Sequence, residues 1–218
     1  MDSDMLATLI LPTVKADPRT SVPVLIANIY SQLRYIPSYR KAWIAKQKAL
    51  EKMHGGWDAS YNEVWQWCQV LERYVPGCVT DIEIEPTYYN DRFLHGCQVF
   101  KRLFWSFKQY RDAFLYCKPL VQIDSTFMYG RYTHRLLLAV TQDGSGRILP
   151  IAFAITLGES TDDWDFFLSR LRRHVCPQPN ICIILDRGTG ILSAIKRQGS
   201  LWLRTHYRYC LRHVASNY

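Results

Sequence analysis

Residues 119–132 read PLVQIDSTFMYGRY. An apolar, β-branched run reaches an aspartate, Asp124, and then a polar, turn-forming stretch. The run has the length and composition of a buried strand. Burying an unpaired carboxylate costs several kcal/mol or more, so a carboxylate at the tip of such a strand calls for a partner, neutralisation or a metal ion. The residues downstream of Tyr132 bear on which of these applies.

A second strand pattern, YTHRLLLAVTQD, leads into Asp143-Gly144-Ser145-Gly146, a strong hairpin signal, and a third, RILPIAFAITLG, comes after it. STDDWDFFLSRLRRHV reads as a helix. Ser160 or Thr161 can cap it, Asp162, Asp163 and Asp165 lie near its positive end, and Arg170, Arg172 and Arg173 near its negative end. ICIILD is apolar throughout, as expected of a strand covered on both faces, and it too ends on an aspartate, Asp186. A turn and short helix (RGTGILSAIKR), a fifth strand (THYRYC) and the start of a helix (LRHVASNY) complete the chain. Three antiparallel strands followed by alternating helices and strands is the order of the ribonuclease H-like fold. The expected architecture is therefore α/β (α+β), with a mixed five-stranded sheet and flanking helices.

Upstream, residues 21–53 read as two helices around a turn. Ser21 and Pro23 open the first, Pro37 and Ser38 separate the two, and Gly55-Gly56 ends the second. Ala42, Ala45 and Ala49 mark a close-packed face of the second helix, and Arg40, Lys41, Lys46, Lys48 and Lys52 a basic one. A helix-turn-helix DNA reader and an ordinary helical hairpin with a solvated basic face both account for this pattern. WDASYNEVWQWCQVLERY reads as a third helix capped by Asp58 or Ser60, CVTDIEIEP as a strand, and FKRLFWSFKQYRDAFLYC as an amphipathic helix. The expected organisation is a lead segment at 1–20, a helical, helix-turn-helix-like region at 21–78, a connecting strand and helix at 79–118, and the ribonuclease H-like core at 119–218.

Composition supports a folded protein whose basic balance suits nucleic acid or another anionic surface as partner. Hydrophobic residues make up 48% and charged residues 21% of the 218 positions, ample for a core and unlike a disordered chain. The net charge of +8 is distributed along the chain, with 12 basic and 7 acidic residues in 119–218. Any contact with an anionic partner therefore uses a folded surface, not a charged tail. Seven cysteines with no CxxC spacing suit a reducing compartment better than a disulfide framework. The apolar stretch near the N-terminus is interrupted at Pro12, so neither a signal peptide nor a spanning helix is expected, and no membrane partner.

Strands ending on Asp124 and Asp186 lie side by side in a ribonuclease H-like sheet, although the two residues are 62 positions apart. Two converging carboxylates repel one another unless a divalent cation lies between them. A pair of metal ions in such a place serves phosphodiester chemistry. The alternative is that Asp124 caps a turn with Ser125 and Thr126 while Asp186 pairs with Arg187. Glu159, just before the helix, is a candidate third acid or a solvated residue beside the helix start. Cys210 and His213 have the i, i+3 spacing of half a zinc site, but with no second pair in reach zinc is not expected, and a site-shaping role is the better reading.

From about Ser21 onward the chain resembles plant Mutator-like transposases. The matching stretches are PSYRKAWIAKQKALEKMHGGWDASY, FKRLFWSF, PLVQIDSTFMYGRY, LLLAVTQDGSGRILPIAFAI, WDFFLSRLRRHV, DRGTGILSAI and YRYCLRHVASNY, in the family's order. The resemblance implies metal-dependent DNA cleavage and strand transfer, Mg²⁺ or Mn²⁺ as cofactor, transposon-end DNA and other transposase subunits as partners, and the nucleus as location. It makes Asp124 and Asp186 the first two catalytic acids and metal ligands, and Cys210 and His213 the family's Cys-x-x-His element. The chain departs from the family at Ser125, where glycine is usual, and at Leu185-Asp186-Arg187-Gly188, where the family reads Ser-Asp-Arg-His. The family's third acid lies beyond the Cys-x-x-His element, so the resemblance implies a core truncated at its C-terminal side and an incomplete active site. The other expectation is a catalytically inactive transposase-derived protein that binds DNA or other proteins.

Overall fold

The computed structural model describes residues 2–54, 57–89, 92–128 and 132–215, which divide into two compact units, Met1–Gln66 and Trp67–Tyr218. Gly55 and Gly56, expected to end the second helix, lie outside the described residues.

The first unit is helical. α1 (Ser3–Ala16) starts at Asp2, whose Oδ1 accepts a hydrogen bond from the Ser3 N–H at 2.6 Å. α2 (Val22–Leu33) follows Ser21 and carries Pro23 in its first turn, and α3 (Tyr39–His54) follows Pro37 and Ser38. The sequence pattern assigned no element to residues 1–20. Pro12 does not end α1, although a proline inside a helix costs about 3 kcal/mol. Leu6, Ala7, Ile10 and Val14 form a buried stripe on α1, and its burial against Leu25, Ile29, Ala45 and Ala49 offsets that cost. Ala42, Ala45 and Ala49 are fully buried, as their spacing predicts.

α4 (Trp57–Tyr74) leads to a seven-stranded sheet. Its strands are β1 (Val79–Tyr89), β2 (Arg92–Ser106), β3 (Leu120–Phe127), β4 (Arg135–Gln142), β5 (Ile148–Thr156), β6 (Cys182–Leu185) and β7 (Tyr207–Tyr209). α5 (Lys108–Phe114) joins β2 to β3, α6 (Thr161–Arg170) and a π-helical turn (Leu171–Val175) join β5 to β6, α7 (Thr189–Lys196) joins β6 to β7, and α8 (Leu211–Ala215) comes after β7. The spatial order is β1-β2-β5-β4-β3-β6-β7. β3, β4 and β5 form an antiparallel meander, and β6 and β7 add parallel to β3. These five strands are the ones expected, in ribonuclease H-like order.

The β1–β2 hairpin extends the sheet beyond five strands, with Arg102–Trp105 of β2 pairing antiparallel to Phe153–Thr156 of β5. This corrects the helix expected over FKRLFWSFKQYRDAFLYC, because Phe100–Ser106 is strand and only Lys108–Phe114 is helix. β2 lies between two neighbours, and adjacent Leu103 and Phe104 are both buried. An apolar run covered on both faces carries no period that separates strand from helix.

The core of this unit includes Phe104, Val121, Ile123, Leu137, Phe167 and Trp202. Trp202 is 1% exposed and donates its indole N–H to the Leu168 carbonyl at 2.7 Å. At the β4–β5 turn, Asp143 Oδ1 accepts from the Ser145 and Arg147 N–H groups, and Gly146 takes a φ of 88°, which fits glycine. Among the described residues no helix is long and apolar enough to cross a membrane.

Candidate active site

β3 alternates along its length. Val121 and Ile123 are buried, and Asp124 projects from the opposite face. The strand does not end on Asp124 as expected: it runs on to Phe127, because β4 keeps pairing with Ser125, Thr126 and Phe127. β6 behaves alike: Ile183 and Leu185 are buried, and Asp186 is the first residue past the strand. The two strands pair in parallel, Leu120 with Cys182, Val121 with Ile183 and Gln122 with Ile184. Asp124 and Asp186 each lie two residues beyond the last of these pairs, so the register carries both to the same level. Neighbouring strands lie about 4.8 Å apart where paired.

Asp124 is less buried than the apolar run before it suggests, with a side chain 45% exposed. Its Oδ1 accepts from the Ser125 backbone N–H at 2.8 Å. Asp186 Oδ1 accepts from the Gly188 N–H at 2.8 Å, which shapes the turn into α7. Among the described residues Arg187 forms no ion pair with Asp186. The contact considered between Asp124 and Ser125 is therefore present, but within β3 and not in a turn, and the pairing considered between Asp186 and Arg187 is not formed; Asp124 stays well exposed.

Cys210 is buried, and its N–H bonds to the Leu185 carbonyl at 2.8 Å, seating the start of α8 beside the residue before Asp186. One turn on, His213 Nε2 lies 3.8 Å from Asp124 Oδ1. The Cys-x-x-His spacing thus bridges the two strands: the cysteine anchors to the end of β6 and the histidine reaches Asp124 of β3.

Glu159 is held by Ser125, which the sequence marked only as a neighbour of Asp124 and a departure from the family, and by Arg135, which it did not single out. The Ser125 hydroxyl donates to Glu159 Oε1, and Arg135 Nη2 lies 3.5 Å from Glu159 Oε2. Arg135 is the cross-strand partner of Phe127, and its guanidinium stacks 3.2 Å from that ring's centroid. The β3–β4 pairing is the signal that would have found it. Helix capping falls instead to Ser160 and Asp163, which form a reciprocal capping box.

In the first unit, Arg40 is exposed and Lys41 half-buried. Lys46 Nζ donates to the Thr20 carbonyl at 2.8 Å, and Lys48 Nζ pairs with Asp4 at 2.6 Å. These two lysines tie α3 to neighbouring segments of its own unit.

Residues 120–217 match the model of the MULE transposase domain. No match to the chain was found among curated proteins. The second unit thus pairs a ribonuclease H-like sheet with a MULE transposase domain match, which implies a transposase-related function, DNA as partner and a divalent metal as cofactor. Among the described residues no three His, Cys, Asp or Glu side chains are gathered into a ready metal site. Two aligned carboxylates nonetheless fit the implied ion, since Mg²⁺ is commonly held by one or two carboxylates with waters and substrate phosphates completing its shell.

Proposed function

We propose that this protein is a plant-type Mutator-like DNA transposase whose Asp124 and Asp186 bind Mg²⁺ or Mn²⁺ at the scissile phosphodiester of a transposon end. The observation that carries the reading is the β3–β6 register, which sets the two aspartates at one level on adjacent parallel strands. A bound ion would supply Lewis-acid polarisation of the phosphodiester and ease deprotonation of the attacking hydroxyl. The chain's own part is to hold two carboxylates in fixed relation, Asp124 by the Ser125 N–H and Asp186 by the Gly188 N–H. Cys210, just before α8, and His213, within it, shape the site. Arg40, Lys41, Lys46 and Lys48 are proposed as a weak DNA-contacting face. Association with further transposase subunits and a nuclear location belong to the same reading.

A second reading is a catalytically inactive transposase-derived protein that binds DNA or other proteins. It is supported by the chain's departures from the family at Ser125 and at Leu185-Asp186-Arg187-Gly188, beside the two aspartates. We propose that residues 1–218 alone do not cleave DNA. Robust cleavage lost in Asp124→Ala would overturn that.

Calorimetric titration of Mn²⁺ into the wild type and into Asp124→Asn/Asp186→Asn tests the first reading. Binding that disappears in the double variant supports it. Absence of binding in the wild type leaves the second.

A further inference from the structure

Glu159 belongs to neither aspartate-bearing strand, yet it touches the segments that come after both. Its Oε1 accepts from Ser125 Oγ, and the Ser125 backbone N–H is the donor that holds Asp124 Oδ1 at 2.8 Å. Its backbone carbonyl lies directly against Gly190, in the first turn of α7, where an added Cβ would overlap it. Arg135 braces its second oxygen from β4. Behind it, the start of α6 is fixed by Asp163, which bonds Ser160 and accepts from Arg102 Nε at 2.7 Å, and Arg102 is bound in turn by Glu83.

We propose that Glu159 is a positioning residue: a strut between Ser125 of β3 and the start of α7 that sets the relation of Asp124 to Asp186, and not a third metal ligand. A hydroxyl and a guanidinium already engage its two oxygens. A carboxylate so engaged has less to offer a cation, while its contacts to Ser125 and Gly190 constrain the two segments that orient the aspartates. Outer contacts of this kind are worth about 10- to 100-fold in metal affinity. The consequence for metal affinity rests on the proposed aspartate site, whereas the strut itself is made by the chain alone.

The test is Mn²⁺ titration into the wild type, Glu159→Gln, Glu159→Ala, Ser125→Ala and the Ser125→Ala/Glu159→Ala double variant. Glutamine keeps an acceptor for the Ser125 hydroxyl and loses the charge, so Glu159→Gln is expected within about 3-fold of wild type. Glu159→Ala and Ser125→Ala should each weaken binding by roughly 10-fold, and the double variant no further, because the two act through one contact. Glu159→Gln losing binding as completely as Asp124→Asn would make Glu159 a ligand and overturn the proposal. So would Glu159→Ala binding as wild type does. If the wild type binds no Mn²⁺, the metal reading fails and the strut is judged in urea unfolding of the same variants. Non-additive midpoint shifts, restored in Glu159→Gln, sustain it, and additive shifts overturn it.

Discussion

His213 Nε2 lies 3.8 Å from Asp124 Oδ1, across 89 positions of sequence. The approach follows from the parallel addition of β7 to β6, which seats Cys210 on Leu185 and turns α8 toward Asp124 of β3. The distance is too long for a direct hydrogen bond, so the place of His213 beside Asp124 bears on the shape of the site. His213→Asn is therefore expected to weaken Mn²⁺ binding by about 10-fold. Asp124→Asn should abolish it. Calorimetry on the two variants separates these effects, and equal losses would place His213 among the ligands.

Gly190 is required for space. An added methyl would meet the Glu159 carbonyl and, at 3.1 Å, the Trp164 ring, both of which are held in place by α6. Gly190→Ala should cost about 1–3 kcal/mol, as overpacking does. Gly144, with open space around it, is the control, and Gly144→Ala should stay within about 0.5 kcal/mol of wild type. Urea denaturation gives both values.

Asp163 is buried. Burial alone would raise its carboxyl, but hydrogen bonds from Ser160 and Arg102 outweigh that and hold it below the ordinary carboxylate value. A depressed native value means that the stabilisation is fully present above the unfolded value of about 3.9 and is lost as the pH falls through the native one. Asp163→Asn should cost about 2–3 kcal/mol at neutral pH, with Glu83 still pairing Arg102. It should also flatten the acid limb of the stability curve, measured by urea midpoints down to about pH 3.

His134, just before β4, is also buried, and burial pushes its imidazole below the ordinary value. Between the native value and the unfolded value of about 6.5 the unfolded chain binds more protons, so stability rises with pH through that window. The wild type should lose stability as the pH falls below about 6.5. His134→Phe, which keeps a ring against Phe100, should remove that part of the slope. An unchanged slope between about pH 6.5 and 5 would show that other groups carry it.

In the first unit, Ala45 and Ala49 are fully buried within the cluster that includes Leu6, Ile10 and Val14 of α1. Ala49→Leu should cost about 1–3 kcal/mol by forcing these helices apart. Circular dichroism melts of the variant would show a lower midpoint.

The elements legible in the chain's linear pattern are those whose period is clean and whose ends are chemically marked. β3 to β7 with α6 and α7 are of this kind, because alternating or fully apolar runs are bounded by Asp143-Gly144-Ser145-Gly146, by Ser160 and by Gly188. The place of Asp186 just past β6 was legible for the same reason, and so was the small-residue face of α3, whereas β3 runs three residues beyond Asp124. Other features depend on long-range packing. Phe100–Ser106 became strand because β5 and β1 were there to pair with it on either side. α1 formed through Pro12 because α2 and α3 bury its apolar stripe. Arg135 and Gly190 carry no local signal of a site, and with Ser125 they converge on Glu159 only once strand register and helix packing are set. Local sequence encodes the period and the caps of single elements. Contacts between residues tens of positions apart are set by the pairing of whole strands, which no short stretch contains.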